Sequence, residues 1–127
     1  MAKILLVDDS ATIRLALKKP LETAGHLVTE AEDGAEALTK VNAAPKEFDL
    51  ILTDINMPNM DGLTFCQKVK AADDSKHIPV VVISTETSPA MKARGKEIGV
   101  TAWMTKPPNP AKLIEAVEKI IAIQMRT

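Results

Sequence analysis

The stretch DLILTDINMPNMDG, residues 49–62, decides the fold. It begins with a short apolar run that is bounded by polar residues, which is typical of a strand buried on both faces. The run ends at the carboxylate of Asp54, and the Asn, Pro, Asp and Gly residues that follow are typical of a turn. Open α/β sheets bind their ligands at the carboxyl ends of their strands. The stretch therefore predicts a buried strand at 49–53 with Asp54 at the edge of a candidate site.

Composition restricts the class of protein. The chain has 127 residues, and a hydrophobic content of 46% is enough for one globular domain with a core. A net charge of -1 argues against nucleic acid as a partner, because binding the phosphate backbone needs a basic surplus. There is no apolar run near the ~20 residues that span a bilayer and no basic leader. The lone Cys66 cannot form an internal disulfide. We expect one domain over 1–127 with no output domain, no direct nucleic-acid contact, no membrane insertion and a cytoplasmic location.

Apolar runs and helical periodicities alternate along the chain. The runs predict strands at 3–7, 27–31, 49–53, 78–83 and 100–105, and a helical pattern follows each of them. Strand–helix alternation repeated five times predicts an α/β fold. Its sheet would be parallel, with right-handed crossovers and helices on both faces. Pro20 lies inside the first predicted helix, where we expect a kink or a locally broken turn, and Gly95 is a predicted weak point of the fourth.

Polar side chains follow four of the five predicted strands: Asp8 and Asp9, Asp54, Ser84, and Lys106. Since the carboxyl ends of parallel strands share one edge, these side chains are expected to converge. Carboxylates that share a crevice repel each other unless a cation neutralises them. Oxygen ligands without His or Cys favour Mg²⁺, and a hydroxyl with a lysine suits a phosphoryl group. Singly, each residue also fits a helix cap, a loop hydroxyl or a solvated charge. Together they predict metal-assisted phosphoryl transfer involving a carboxylate.

Four motifs resemble a known family: LLVDDS at 5–10, DLILTDINMPNMDG at 49–62, VVVIST at 80–85 and TKP at 105–107. Over essentially its whole length the chain resembles response-regulator receiver domains, the CheY-like family of two-component signalling. The resemblance implies a doubly wound, flavodoxin-like sheet of five parallel strands in the order 2-1-3-4-5 with five helices.

The resemblance also implies a role for each site residue. Asp54 would accept the phosphoryl group and contribute to a Mg²⁺ site. In that site Asp9 would bind the ion directly and Asp8 would mainly order metal-bound water. The backbone carbonyl of Asn56 would be a further ligand. Ser84 and Lys106 would bind phosphoryl oxygens, and the Lys106–Pro107 bond would be cis, as is typical of the family.

The resemblance further assigns a switch. Ser84 would move inward on phosphorylation, the loop at 85–88 would follow, and Trp103 would rotate into the vacated space. The side chains of Asn56 and Glu86 would tune the dephosphorylation rate. The surface formed by the fourth helix, the fifth strand and the fifth helix would then change its affinity for a partner protein. This surface includes Met91, Lys92, Trp103 and Lys112.

The resemblance implies protein partners. The phosphodonor would be a sensor histidine kinase, a phosphotransfer protein or a small acyl phosphate, and a downstream target protein would read the state of a monomer. Beyond self-phosphorylation and autodephosphorylation we expect no enzyme activity. The stretches STETSPAMKARGKEIGV at 84–100 and TKPPNPAKL at 105–113 resemble those of chemotaxis-type regulators. A phosphorelay or phosphate-sink receiver cut from a larger regulator is the alternative.

Three other readings remain. A Mg²⁺-dependent aspartyl-phosphate phosphatase of the haloacid dehalogenase type needs a second Asp two residues after the nucleophile. That position holds Asn56 after Asp54, and Ser10 after Asp8. A flavin-binding module is disfavoured because the first-strand carboxylates would repel the FMN phosphate. A scaffold that never takes up phosphate is disfavoured by the intact site residues.

Overall fold

The computed structural model describes residues 2–86 and 88–125, and in them strands and helices alternate as predicted. The strands are β1 (Lys3–Val7), β2 (Leu27–Ala31), β3 (Leu50–Thr53), β4 (Val80–Ser84) and β5 (Ala102–Thr105). The helices are α1 (Ala11–Thr23), α2 (Gly34–Ala43), α3 (Gly62–Ala71), α4 (Pro89–Ile98) and α5 (Pro110–Met125). The predicted strand bounds hold for β1 and β2, and β3, β4 and β5 begin slightly later than the apolar runs suggest. Thr87, within the predicted switch loop, lies outside the described residues.

The five strands form one parallel sheet in the order β2-β1-β3-β4-β5, which confirms the doubly wound arrangement. Backbone pairing continues one residue past several strand ends. The amide of Asp8 donates to Ala31, and that of Asp54 donates to Val7 at 3.0 Å. The amide of Lys106 donates to the Ser84 carbonyl at 3.0 Å. The register therefore brings the residues that follow these strands to one edge of the sheet.

The sheet is covered on both faces, as its apolar central strands require. Alternate residues of β1 point to opposite faces: Leu5 and Val7 belong to one core cluster, and Ile4 and Leu6 to the other. The first cluster is completed by α2 and α3 residues, among them Ala37, Val41, Phe65, Cys66 and Val69. The second is completed by α1 and α5 residues, namely Leu17, Leu21, Leu113 and Val117. Within the described ranges, no helix is long and apolar enough to cross a membrane.

Helix α1 runs without interruption through Pro20, so the broken turn does not occur. Ser10 caps the start of the helix, since its hydroxyl accepts from the amide of Ile13 at 3.3 Å. Pro20 removes one donor in the last part of the helix, and buried Leu17 and Leu21 on either side anchor that turn to the core. Gly25 follows the helix with a φ of 95°, as expected of a glycine just past a helix end.

Candidate functional site

Three carboxylates meet at the carboxyl edge of the sheet. Oxygens of Asp8, Asp9 and Asp54 all lie within 4.8 Å of one another. Asp8 and Asp54 are buried, with 2% and 8% of their surfaces exposed, whereas Asp9 is exposed. The structure thus brings together the three acids that the sequence placed at the ends of two strands.

Lys106 joins the two buried acids. Its Nζ donates to Oδ2 of Asp8 at 2.6 Å and to Oδ2 of Asp54 at 2.7 Å. Burial by itself would lower the pKa of this ammonium. The hydrogen bonds and charges of Asp54 and Asp8 outweigh that effect, so the pKa of Lys106 lies above its usual value. The lysine therefore stays charged at neutral pH and sits directly beside the carboxylate that the sequence predicts as the acceptor.

Both oxygens of Asp54 are held. Oδ2 accepts from Nζ of Lys106, and Oδ1 accepts from the amide of Ile55 at 2.7 Å. Asp8 is fixed in the same way, because its Oδ1 accepts from the amide of Ser10 at 2.9 Å. Each carboxylate oxygen has a second lone-pair direction, so either Asp54 oxygen can still attack or bind a cation.

The composition of the acidic group fits Mg²⁺. The three carboxylates and the ammonium leave a formal charge of -2 at an edge where the ligand atoms are all oxygen. Mg²⁺ binds through one or two carboxylates and keeps several waters, so a group with one exposed and two buried carboxylates suits it. Asn56, whose carbonyl is the other predicted ligand, is an exposed residue of the loop after β3.

Ser84, at the end of β4, is fully buried and connects to Trp103 through one residue. The Ser84 hydroxyl accepts from the amide of Glu86 at 3.1 Å. The carbonyl of Glu86 accepts from Nε1 of Trp103 at 3.0 Å. The sequence assigned Glu86 only to rate tuning, whereas its backbone also links the two predicted switch residues.

Trp103 is half-buried on the edge strand β5. It packs with Met91 against a small core of Ile55, Leu63 and Val82. A Cβ added at Gly95 would lie 3.0 Å from Cζ3 of Trp103, so Gly95 leaves room for the indole ring. Of the other residues assigned to a partner face, Lys92 on α4 and Lys112 on α5 are exposed. The Lys106–Pro107 peptide bond is cis, as the resemblance implied.

Two residues that shape the site were not singled out by the sequence. Arg14 donates to the carbonyl of Asp8 at 2.6 Å and pairs with Glu30 at 3.1 Å. Gly62 is buried, and an added Cβ would lie 1.9 Å from the backbone oxygen of Asp54. The Asp-Gly dipeptide at 61–62 was the available signal, but it was interpreted as turn chemistry and not as a close contact.

The chain matches the family model of the response regulator receiver domain over residues 4–118. It belongs to this family. Chemotaxis protein CheY1 of Helicobacter pylori strain J99 is 38% identical over 120 residues, which are 94% of this chain and 96% of that protein. The structure of chemotaxis protein CheY4 of Vibrio cholerae superposes with a TM-score of 0.87 at 42% identity, covering 94% of this chain and 98% of that one.

Some relatives of this receiver domain are much longer. It spans 13% of the gliding motility regulatory protein of Myxococcus xanthus and 15% of the sensor histidine kinase CheAY of Helicobacter pylori. Receiver domains are generally signalling modules without enzyme activity. Family membership confirms the resemblance and does not favour the phosphatase and flavin alternatives.

Proposed function

We propose that this receiver domain is a switch that takes up a phosphoryl group on Asp54 and thereby changes its affinity for a target protein. One observation carries the assignment. Nζ of Lys106 lies 2.7 Å from Asp54 Oδ2 and 2.6 Å from Asp8 Oδ2, beside a group of three carboxylates. A carboxylate with a fixed ammonium and further acids beside it is suited to phosphoryl transfer.

The proposed reaction forms one bond and breaks one bond. A carboxylate oxygen of Asp54 attacks the phosphorus of a phosphohistidine or an acyl phosphate. The phosphorus–nitrogen or phosphorus–oxygen bond breaks, and its electron pair leaves with the imidazole or the carboxylate. The raised pKa of Lys106 keeps a positive charge at hand for the phosphoryl oxygens. The buried Ser84 hydroxyl is the proposed partner of another phosphoryl oxygen.

Asp8, Asp9, Asp54 and the carbonyl of Asn56 are the proposed Mg²⁺ ligands. The ion would supply charge neutralisation between the incoming phosphoryl group and the acids. Arg14 helps to hold this group in place, because it donates to the backbone carbonyl of Asp8.

The signal would leave the site through Ser84, Glu86 and Trp103. If the phosphoryl group draws the Ser84 hydroxyl toward it, the oxygen moves relative to the Glu86 amide that donates to it, and the carbonyl of the same residue accepts from Trp103. A population shift then alters the surface that includes Met91, Lys92 and Lys112. The chemotaxis proteins among the relatives support a chemotaxis-type process. We further propose a cytoplasmic monomer that is phosphorylated by a histidine kinase or a phosphotransfer protein.

Acetyl phosphate with Mg²⁺ should place one phosphoryl group on the chain, at Asp54. Removal of Mg²⁺ with EDTA should abolish the labelling, because the carboxylates then lack their counter-charge. Intact-mass spectrometry followed by peptide mapping measures both results. Labelling that maps to another residue, or that proceeds equally in EDTA, would overturn the proposal.

Beryllofluoride with Mg²⁺ should change the emission of Trp103, the only tryptophan of the chain. The indole is half-buried and its Nε1 is bonded to the Glu86 carbonyl, so rearrangement near Ser84 alters its surroundings. Fluoride with Mg²⁺ but without beryllium is the control. Unchanged emission in protein shown by ¹⁹F NMR to hold the analogue would exclude Trp103 as the switch.

A further inference from the structure

The loop between β3 and α3, residues 54–61, carries the predicted ligand Asn56 and is closed at its base. The amide of Gly62 donates to the carbonyl of Ile55 at 2.9 Å. Nearer the tip, the amide of Met60 donates to the carbonyl of Pro58 at 2.7 Å. These two bonds fix the shape of the loop but do not fix where its tip lies relative to the rest of the sheet edge.

The tip is tied to the start of α2. Nδ2 of Asn59 donates to Oδ2 of Asp33 at 2.7 Å, and the amide of Gly34 donates to the carbonyl of Met60 at 3.1 Å. Asn59 adopts a φ of 66°, a conformation that Asn, Asp and Gly tolerate best. An added Cβ at Gly34 would lie 2.6 Å from the Met60 oxygen, so the two segments are in close contact.

Asp33 uses its two oxygens for separate purposes. Oδ1 caps α2 by accepting from the amide of Glu36 at 2.8 Å, while Oδ2 binds Asn59. The bond from the Glu36 amide, followed by that from Asn59, holds the pKa of the Asp33 carboxyl below its usual value. A simple helix cap needs only the first oxygen, so the bond to Asn59 is additional to capping.

We propose that Asp33 and Asn59 are positioning residues, and that their hydrogen bond holds the β3–α3 loop where the Asn56 carbonyl can bind Mg²⁺. The inference rests on the proposed function, because that function supplies the metal. It goes further by giving two residues outside the acidic group a defined effect on metal affinity. Groups that orient metal ligands have large effects on affinity although they do not touch the ion.

A reciprocal exchange separates positioning from capping. Asp33→Asn keeps the cap, since Asn caps as well as Asp, and it also keeps the bond to Asn59, because the Asn59 amide can turn to present its oxygen to the new NH₂ group. Asn59→Asp keeps a residue that tolerates positive φ but sets two carboxylates against each other. The double variant restores one donor and one acceptor and has the net charge of the wild type. Asp61→Asn is the matched control. It makes the same Asp-to-Asn change at the cap of α3 and leaves the hydrogen bond between Asp33 and Asn59 in place.

Asn59→Asp should weaken Mg²⁺ binding about tenfold, Asp33→Asn should bind Mg²⁺ like the Asp61→Asn control, and the double variant should recover most of the loss seen in Asn59→Asp. Chemical-shift titration with MgCl₂ gives the dissociation constant, and amide hydrogen exchange at 56–60 without metal should be faster in Asn59→Asp than in the wild type. Urea unfolding checks that stability does not follow the same pattern. Equal Mg²⁺ affinity in Asn59→Asp, the double variant and the wild type would overturn the inference about the Asp33–Asn59 hydrogen bond while leaving the proposed function intact. A wild type that binds no Mg²⁺ would overturn both.

Discussion

The Asp54→Asn variant should take up almost no phosphoryl group from acetyl phosphate and Mg²⁺. The amide keeps an oxygen for the Ile55 amide; its NH₂ group cannot accept from Lys106, which keeps Asp8 as its partner. What disappears is the anionic nucleophile. Labelling should fall at least about a hundredfold, since removing an enzymatic nucleophile commonly costs this much or more. Intact-mass spectrometry over a time course measures the rate.

Asp49→Asn is the control for this variant. Asp49 lies just before the opposite end of the same strand, where its Oδ2 accepts from the amide of Lys3 at 2.8 Å. The substitution is identical, but it lies at the far edge of the sheet. Asp49→Asn should therefore be labelled like the wild type. Labelling of Asp54→Asn at an undiminished rate would mean that another group accepts the phosphate.

The residues of the acidic group could be found from the sequence because the sheet determines their positions. Once five strands are parallel, the residues after them must share an edge, and a register shift by one residue would turn each side chain away. Asp8, Asp54 and Lys106 follow their strands directly, so the prediction required only the strand ends. The bidentate position of Lys106 between two acids is a detail that the distances supply.

The residues that sequence reasoning missed act across loops. The contact of Arg14 with the Asp8 carbonyl and the bond from Asn59 to Asp33 join segments whose separation is set by loop conformation. Neither strand alternation nor helical periodicity contains that information. Pro20 shows the reverse case for the broken turn, which a local rule allowed and which does not occur, since the helix is continuous between buried Leu17 and Leu21. Local propensity is overridden where a helix is held by its packing.

The Gly62→Ala variant should lose at least about 3 kcal/mol of unfolding free energy, the upper range for overpacking a buried site. Helix propensity alone predicts the opposite sign, because Gly62 is the first residue of α3 and Ala favours helix. Space decides the outcome. The added Cβ would lie 1.9 Å from the backbone oxygen of Asp54 and 3.1 Å from the Cα of Ile55. No flexible side chain can yield there, so α3 or the end of β3 must move.

Gly25→Ala provides the comparison. Gly25 has a φ of 95° and open space around the position of a Cβ, so its cost is limited to the backbone conformation, about 1 kcal/mol. Equilibrium urea unfolding of both variants separates the two causes. A Gly62→Ala protein that is destabilised no more than Gly25→Ala would show that the loop after β3 can relax. The atoms that the new methyl group would crowd belong to the backbone of Asp54 and Ile55, so any Gly62→Ala protein that remains folded should also be labelled slowly by acetyl phosphate.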